Sequence, residues 1–304
     1  MKSLEQIVWP KPGRYVVAVS GGVDSMALLD LLATSKRQAD WQLEVAHFNH
    51  GWTAAANRYA EVVEAAAKRH GLPFHSGMAK VTVNEAAARE VRYRWLRQVA
   101  RESGAEAIIT AHHADDLVET VVLNLTRGTG RRGLTPFTST KDVMRPLTTI
   151  TKTALIAYAK ERQLPWVEDA TNIDTRFRRN AVRHERLPQL RQENPELDRE
   201  LGQIIAEATA LNAGIDRALA ELITSGEGRA SASVAELRRL PLPTLAEVVV
   251  MMVQAGRPGS ELNRRTVEAL ATDIKAGRLR GARRLTNGLF ASSARDTVTI
   301  AFTP

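Results

Sequence analysis

The chain has 304 residues, 44% hydrophobic and 25% charged, which is the composition of an ordinary globular protein long enough for two domains. It contains no cysteine, and this excludes disulfides, zinc thiolates, iron–sulfur clusters and any reaction that carries sulfur as a persulfide. Neither a run of about 18 apolar residues nor the apolar segment of a secretion signal occurs, so we expect a cytoplasmic protein without a membrane span.

Short β-branched runs alternate with helix-period runs over the first third of the chain. Strands are predicted at 15–20, 42–48, 72–78 and 106–111, and helices at 23–34, 54–70 and 84–103. This alternation predicts an α/β fold with a doubly wound parallel sheet. Ligands of such sheets bind beyond the carboxyl ends of the strands, where three polar segments fall: 20–25, 47–51 and 112–116. We therefore expect these segments to share one site.

The rest of the chain predicts a second, smaller domain. Further helices are predicted at 115–126, 151–162, 198–224, 233–239, 242–255 and 264–275, with a strand pair near 284–302. We predict a catalytic domain at 1–197, a linker helix at 198–224 and a mainly helical α+β domain at 225–304.

The segment SGGVDS at 20–25 lies between the first strand and the first helix. A glycine pair lets the backbone approach a ligand closely, and a helix amino terminus attracts anions, so this loop is a candidate phosphate site. Neither the Walker pattern nor the Rossmann glycine pattern is present. A carboxylate beside phosphates is repulsive without a cation between them, so Asp24 implies Mg²⁺. The alternative is that Asp24 only caps the helix.

The excess positive charge lies in one central segment. Arg127–Arg191 holds 14 lysines and arginines against 6 aspartates and glutamates, an excess of eight that equals the net charge of the whole chain. A solvated basic face is the alternative explanation, but such concentration favours an extended polyanion such as RNA. A second basic run without an intervening acid lies at 275–284.

Several motifs in order resemble the tRNA(Ile)-lysidine synthetases, a branch of the PP-loop ATP pyrophosphatases. They are SGGVDS at 20–25, AREVRYRWL at 88–96, TAHHADDLVET at 110–120, RGTGRRGL at 127–134, RPL at 145–147, DATNID at 169–174 and RRNAVR at 178–183. The chain departs from the family where Asn49 replaces an acid, Trp52 a leucine and Thr171 a serine. Many members are longer at the carboxyl end, so we expect a short form of the family.

The resemblance implies a PP-loop, adenine nucleotide α-hydrolase-like fold and an enzyme that uses ATP and free L-lysine. Its tRNA partner would be the isoleucine tRNA with a CAU anticodon, whose wobble cytidine becomes lysidine. Implied ATP-binding residues are Ser20, Gly21, Gly22, Val23, Asp24, Ser25, His47 and His112. Implied catalytic residues are Asp24, which would hold Mg²⁺, and the lysine-binding set of Arg92, Asp116 and Glu119.

Arginines beside glycines and in basic runs suit contact with phosphates. The tRNA-binding candidates are Arg127, Arg131, Arg132, Arg178, Arg179, Arg183, Arg280 and Arg283. Several alternatives stay open at this point. His112 and His113 could be a structural pair or zinc ligands, and the chain could form a homodimer. Another PP-loop tRNA-modifying enzyme, a small-molecule adenylating enzyme or a non-catalytic RNA-binding protein would also carry some of these motifs.

Overall fold

The structure is a computed structural model that describes residues 2–35, 37–49, 56–79, 85–137, 142–168, 178–257, 260, 262–286 and 288–303. The chain divides into two compact units, Met1–Ala208 and Thr209–Pro304. Within the described ranges no helix is both long and apolar enough to cross a membrane.

A five-stranded parallel sheet forms the centre of the first unit. Its strands are β1 (Gly13–Ala18), β2 (Trp41–Asn49), β3 (Phe74–Met78), β4 (Ala107–Thr110) and β5 (Val143–Met144). They lie in the order β3–β2–β1–β4–β5, and all neighbouring pairs are parallel. The predicted doubly wound α/β fold is confirmed. The two-residue β5 was not predicted, because it is too short to show a periodicity and is defined by its pairing with β4.

Helices cover both faces of this sheet. They are α1 (Val23–Thr34), α2 (Ala56–Arg69), α3 (Glu85–Glu102), α4 (Ala114–Thr126) and α5 (Lys152–Glu161). On one face Val17, Val45 and Ile109 are fully buried in a core shared with α1, α2 and α5. On the other face Val16 and its neighbours pack against α3. Burial on both faces explains the continuous apolar runs, each such side chain contributing about 1.5–3 kcal/mol.

A helical segment that begins at Arg178 packs against α4. It consists of α6 (Arg178–Ala181), a π-helical stretch (Val182–Arg186) and α7 (Leu187–Glu193), and it precedes α8 (Leu197–Ala220). Val118 and Val122 of α4 form a small buried cluster with Val182 and Leu187. This cluster holds the arginine-rich segment beside the start of α4.

The second unit is an α+β domain with its own core. Its elements are β6 (Thr224–Gly226), β7 (Arg229–Ser233), α9 (Val234–Arg239), α10 (Leu242–Gly256), α11 (Arg264–Lys275), β8 (Gly281–Thr286), β9 (Leu289–Ala294) and β10 (Thr297–Phe302). The predicted strand pair is part of a five-stranded antiparallel sheet in the order β6–β7–β10–β9–β8. Periodicity did not reveal β7 and β8, because RASAS and GARRLT are poor in the β-branched and aromatic residues typical of strands.

Candidate functional site

The loop between β1 and α1, residues 19–22, is the candidate phosphate loop. Gly21 has φ +92°, and a Cβ there would lie 3.2 Å from the Tyr59 ring, so the position favours glycine for two reasons. The backbone amides of Ser20 and Gly21 both donate to the buried Ser25 Oγ, at 3.1 and 3.2 Å. These amides are therefore already hydrogen-bonded within the loop, and the part of it that suits an anion is the amino terminus of α1.

Asp24 lies in the first turn of α1 and does not cap it, since the residue at the cap position is Gly22. Its two carboxylate oxygens accept hydrogen bonds from Lys152 Nζ at 2.7 and 2.6 Å. Lys152 also donates its backbone amide to Asp115 Oδ2 at 2.7 Å. Lys152 was not among the residues predicted from the sequence. A positive charge in the first turn of a helix is unfavourable because the amino terminus of a helix is itself positive. Lys152 at the start of α5 therefore indicated that an acid elsewhere in the chain would pair with it.

The start of α4 joins the phosphate loop to a pair of acids. His113 caps this helix: its Nδ1 accepts from the Asp116 amide, and Asp116 accepts from the His113 amide at 3.2 Å. The buried His113 Nε2 lies 3.3 Å from Asp116 Oδ2 and 3.8 Å from Asp24 Oδ2. The first and third polar segments predicted at the sheet edge thus meet through His113.

Asp116 and Glu119 form a largely buried acid pair that contacts two arginines. Their side chains are 15% and 4% exposed. Arg179 donates to Asp116 Oδ1 at 2.9 Å and to Glu119 Oε2 at 3.2 Å. Arg183 donates to Glu119 at 2.6 and 2.9 Å and to Asp116 at 3.4 Å. The sequence placed these arginines with the tRNA-binding candidates; the structure places them on the acids predicted to bind lysine.

The electrostatic environment shifts the pKa of several groups in this region, Asp116 and His112 among them. Burial raises the pKa of Asp116, but His113 and Arg179 outweigh that effect and hold the pKa below its usual value. Burial lowers the pKa of His112 to about 3, with nearby arginines adding to the shift and Asp116 opposing it. His112 is therefore a neutral imidazole at pH 7, with its Nδ1 2.8 Å from Thr110 Oγ1.

His47, at the end of β2, lies next to the phosphate loop. Its Nδ1 is 2.9 Å from the Val19 carbonyl oxygen, so Nδ1 carries the proton and Nε2 is left as an acceptor. Burial lowers the pKa of His47 and keeps the ring neutral. Nε2 is buried and has no hydrogen-bond donor among the residues that the structure describes.

The remaining predicted residues lie at several places. The guanidinium of Arg92 stacks 5.5 Å from the Tyr93 ring centre on α3. Arg127 is exposed at the end of α4, and a 3₁₀ turn at Arg131–Leu134 follows it. In the second unit Arg280 is exposed, whereas Arg283 donates to Asp273 at 2.6 Å. The motif residues at 50–52 and 169–174 lie outside the described residues.

The donor set of the loop fits a magnesium ion bound mainly through phosphates. Within the described ranges no group of three or more histidines and carboxylates could hold a metal by itself. Asp24 supplies one carboxylate, whose two oxygens accept from Lys152, so a magnesium ion would take the place of that ammonium. Mg²⁺ in nucleotide sites is commonly held by one or two carboxylates plus substrate phosphates. Asp24 is therefore the residue that would hold the ion.

Comparison with known proteins identifies the family. Residues 1–190 match the PP-loop domain model. The tRNA(Ile)-lysidine synthase of Gloeobacter violaceus is 37% identical over 71% of this chain and 70% of its own length. The tRNA(Ile)-lysidine synthases of a Synechococcus strain and a Nostoc strain are 39% and 38% identical over 63% and 62% of this chain. The matched region spans 61% and 58% of those two relatives, about three fifths of their length.

Among solved structures, the U34-tRNA thiolase NcsA from Methanococcus maripaludis, with its 4Fe–4S cluster, has a similar fold. The TM-score is 0.54 at 15% identity, covering 68% of this chain and 77% of that chain. At this identity the likeness concerns the fold alone, and it agrees with the doubly wound sheet described above. The family model and the Gloeobacter relative together show that this chain belongs to the PP-loop family and, within it, to the tRNA(Ile)-lysidine synthases.

Proposed function

We propose that this chain ligates L-lysine to the 2-position of the wobble cytidine in the CAU-anticodon isoleucine tRNA. ATP would be split to AMP and pyrophosphate, through an adenylated tRNA intermediate. The observation that supports this best is one continuous polar network: His113 lies between Asp24 of the phosphate loop and Asp116 of the buried acid pair. An anion site and an ammonium site are thus adjacent, as a reaction between ATP and an amine requires.

In the first step the cytosine 2-oxygen attacks the α-phosphorus of ATP and the bond to pyrophosphate breaks. Negative charge grows on the leaving pyrophosphate beside the loop. The amino terminus of α1, where Asp24 lies in the first turn, and the ammonium of Lys152 would stabilise this charge. Mg²⁺ held by Asp24 and phosphate oxygens would supply further charge neutralisation when bound.

In the second step the ε-amine of lysine attacks C2 of the cytosine, and the 2-oxygen leaves with AMP. The ε-ammonium has a pKa of about 10.4, so presenting the amine neutral at pH 7 costs about 4.6 kcal/mol. An acid pair that first binds the ammonium and then accepts a proton lowers this cost. Asp116 and Glu119 are the buried acids in this role, and Arg92 belongs to the same proposed site through its family position.

Exposed arginines of each unit would contact the tRNA. Arg127 and Arg178 are exposed in the first unit, as is Arg280 in the second. Such side chains bind phosphates without reading sequence, so the proposed contacts position the tRNA rather than select it. A homodimer is compatible with this proposal but is not required by it.

The experiment is an omission series with α-labelled ATP, CAU-anticodon isoleucine tRNA and L-lysine. Free labelled AMP is expected only when both tRNA and lysine are present, whereas tRNA alone should give labelled adenylated tRNA. Release of AMP without tRNA would contradict the proposal and favour a small-molecule adenylating enzyme. Methionine tRNA, which also carries a CAU anticodon, serves as the matched RNA control.

A further inference from the structure

All four oxygens of the buried acid pair already accept hydrogen bonds from the chain itself. Both oxygens of Glu119 accept from Arg183, at 2.6 and 2.9 Å, and one of them also accepts from Arg179 at 3.2 Å. Asp116 Oδ1 accepts from both arginines, and Oδ2 accepts from the His113 amide. An incoming ammonium therefore meets an acid pair that two guanidinium groups already satisfy.

The acid pair is balanced in charge by its two arginines. Asp116 and Glu119 carry two negative charges, and Arg179 and Arg183 carry two positive charges. Because this group of four side chains is neutral as a whole, it offers a free ammonium little net attraction.

A polyphosphate at the loop would change this balance. A triphosphate chain carries about four negative charges, and it would lie beside Asp24, whose partner is Lys152. Guanidinium groups bind phosphate in the same bidentate manner as carboxylate, so the phosphates compete directly with the acid pair for the arginines. Arg179 and Arg183 are a quarter to a third exposed, which leaves them room to exchange partners.

Resting on the proposed function, we propose that Arg179 and Arg183 are internal competitors of lysine, which make its binding depend on prior binding of a polyphosphate. In this account they are positioning residues. They occupy the oxygens of Asp116 and Glu119 until phosphates bind the guanidinium groups instead, and they so set the order in which the substrates bind. The premature entry of lysine or another free amine is thereby disfavoured.

The competing explanation is a permanent structural tie. The same ion pairs join α4 to α6 and the π-helical stretch, next to the buried cluster of Val118 and Val182. If the ion pairs are permanent, polyphosphate cannot shift the arginines between a state that holds the acid pair and a state that releases it. The affinity for lysine would then be the same with and without polyphosphate. The two explanations therefore differ in a measurable coupling.

The first measurement uses the unaltered chain. Binding of L-lysine is followed by calorimetry without and with saturating inorganic tripolyphosphate, and separately with α,β-methylene-ATP, which cannot be split between the α and β phosphates. We expect either polyphosphate to tighten lysine binding by about tenfold or more, within the usual range of coupling between sites. L-norleucine, which lacks the ε-ammonium, should show no such coupling.

The second measurement uses Arg183→Gln and Arg179→Gln as two separate variants, so that one can replace the other if its folding is impaired. Either substitution should strengthen lysine binding without polyphosphate and reduce the coupling to about twofold or less. Arg186→Gln is the matched control, because Arg186 is an exposed arginine of the same segment and is not among the partners of Asp116 and Glu119. Its coupling should equal that of the unaltered chain.

Equal lysine affinity with and without polyphosphate in the unaltered chain would overturn the proposal, as would variants that keep full coupling. A chain that shows no coupling yet forms lysidine would refute the competition while leaving the proposed function intact. Absence of lysine binding in every arm, together with absence of lysidine, would refute both.

Discussion

The double substitution Asp116→Asn with Glu119→Gln should separate the two chemical steps. Both replacements keep the shape of the acid pair but remove its charge, and each exchanges one acceptor oxygen for an NH₂ donor. The adenylation step uses the phosphate loop, whose contacts with Ser25 and Lys152 do not involve these acids. Adenylated tRNA should therefore still form, and it should accumulate because the ammonium is neither bound nor deprotonated.

The expected size of the effect follows from the ammonium and from the contacts of the acids. Losing the proton acceptor exposes the reaction to a deprotonation cost of about 4.6 kcal/mol, so lysidine formation should fall by about three orders of magnitude. Glu119 is 4% exposed and accepts three hydrogen bonds from arginines, so stability should also fall, by about 2–3 kcal/mol.

The assay is a quenched time course that separates unmodified, adenylated and lysidine-containing tRNA, with urea denaturation of each variant alongside. Glu90→Gln is the control, because Glu90 is paired with the exposed Arg94 and not with Arg179 or Arg183. This substitution should leave both steps unchanged. Loss of adenylation together with ligation in the folded double variant would assign the acids to ATP or metal binding. An unchanged yield of lysidine would mean that they serve only the helix.

Four further predictions concern the loop, the basic surface and the buried imidazole. Asp24→Asn should change the free energy of unfolding by less than about 1 kcal/mol, since its ion pair is partly exposed, yet abolish AMP production in the labelled-ATP assay. Gly21→Ala should lower the free energy of unfolding, measured in urea, by about 1–2 kcal/mol and weaken ATP binding. Gly71→Ala is the control, because Gly71 also has a positive φ but has open space around it. This substitution should lower stability without affecting ATP binding. Arg178→Ala should weaken tRNA binding in a filter assay and reduce the slope of log affinity against log salt by about one; an unchanged slope would exclude a phosphate contact. His112 has a pKa of about 3 in the folded chain and 6.5 in the unfolded chain, so it binds protons more readily when the chain is unfolded. Its contribution to stability is therefore fully present above pH 6.5 and is lost as the pH falls toward 3. The free energy of unfolding should fall by up to about 1.4 kcal/mol per pH unit in this range. Urea midpoints at several pH values should show this loss, and His112→Gln should make the dependence shallower.

The sequence was sufficient to predict the sheet and its loop, because these depend on local patterns. The helix predicted at 23–34 begins and ends at those residues in the structure. Both ends of β1, β2, β3 and β4 lie within two residues of their predicted positions. Strong apolar periodicity and a glycine pair at the first turn carry this information in the chain itself.

The partners within the site could not be predicted, because they join residues far apart in the chain. Asp24 and Lys152 are separated by 128 positions, and Glu119 and Arg183 by 64. Arginines in a basic segment are equally compatible with phosphate contact and with a buried ion pair, and only the packing of α6 beside α4 distinguishes the two in this structure. For Arg179 and Arg183 the contacts with Asp116 and Glu119 add control of the acid pair to the predicted tRNA contact as a second hypothesis.

Nucleoside analysis of CAU-anticodon isoleucine tRNA, after incubation with the chain, ATP and L-lysine, tests the proposed function directly. We expect the wobble cytidine to be replaced by lysidine, with one AMP released for each lysidine formed. AMP formed while the wobble cytidine stays intact, or a different modified nucleoside at that position, would contradict it.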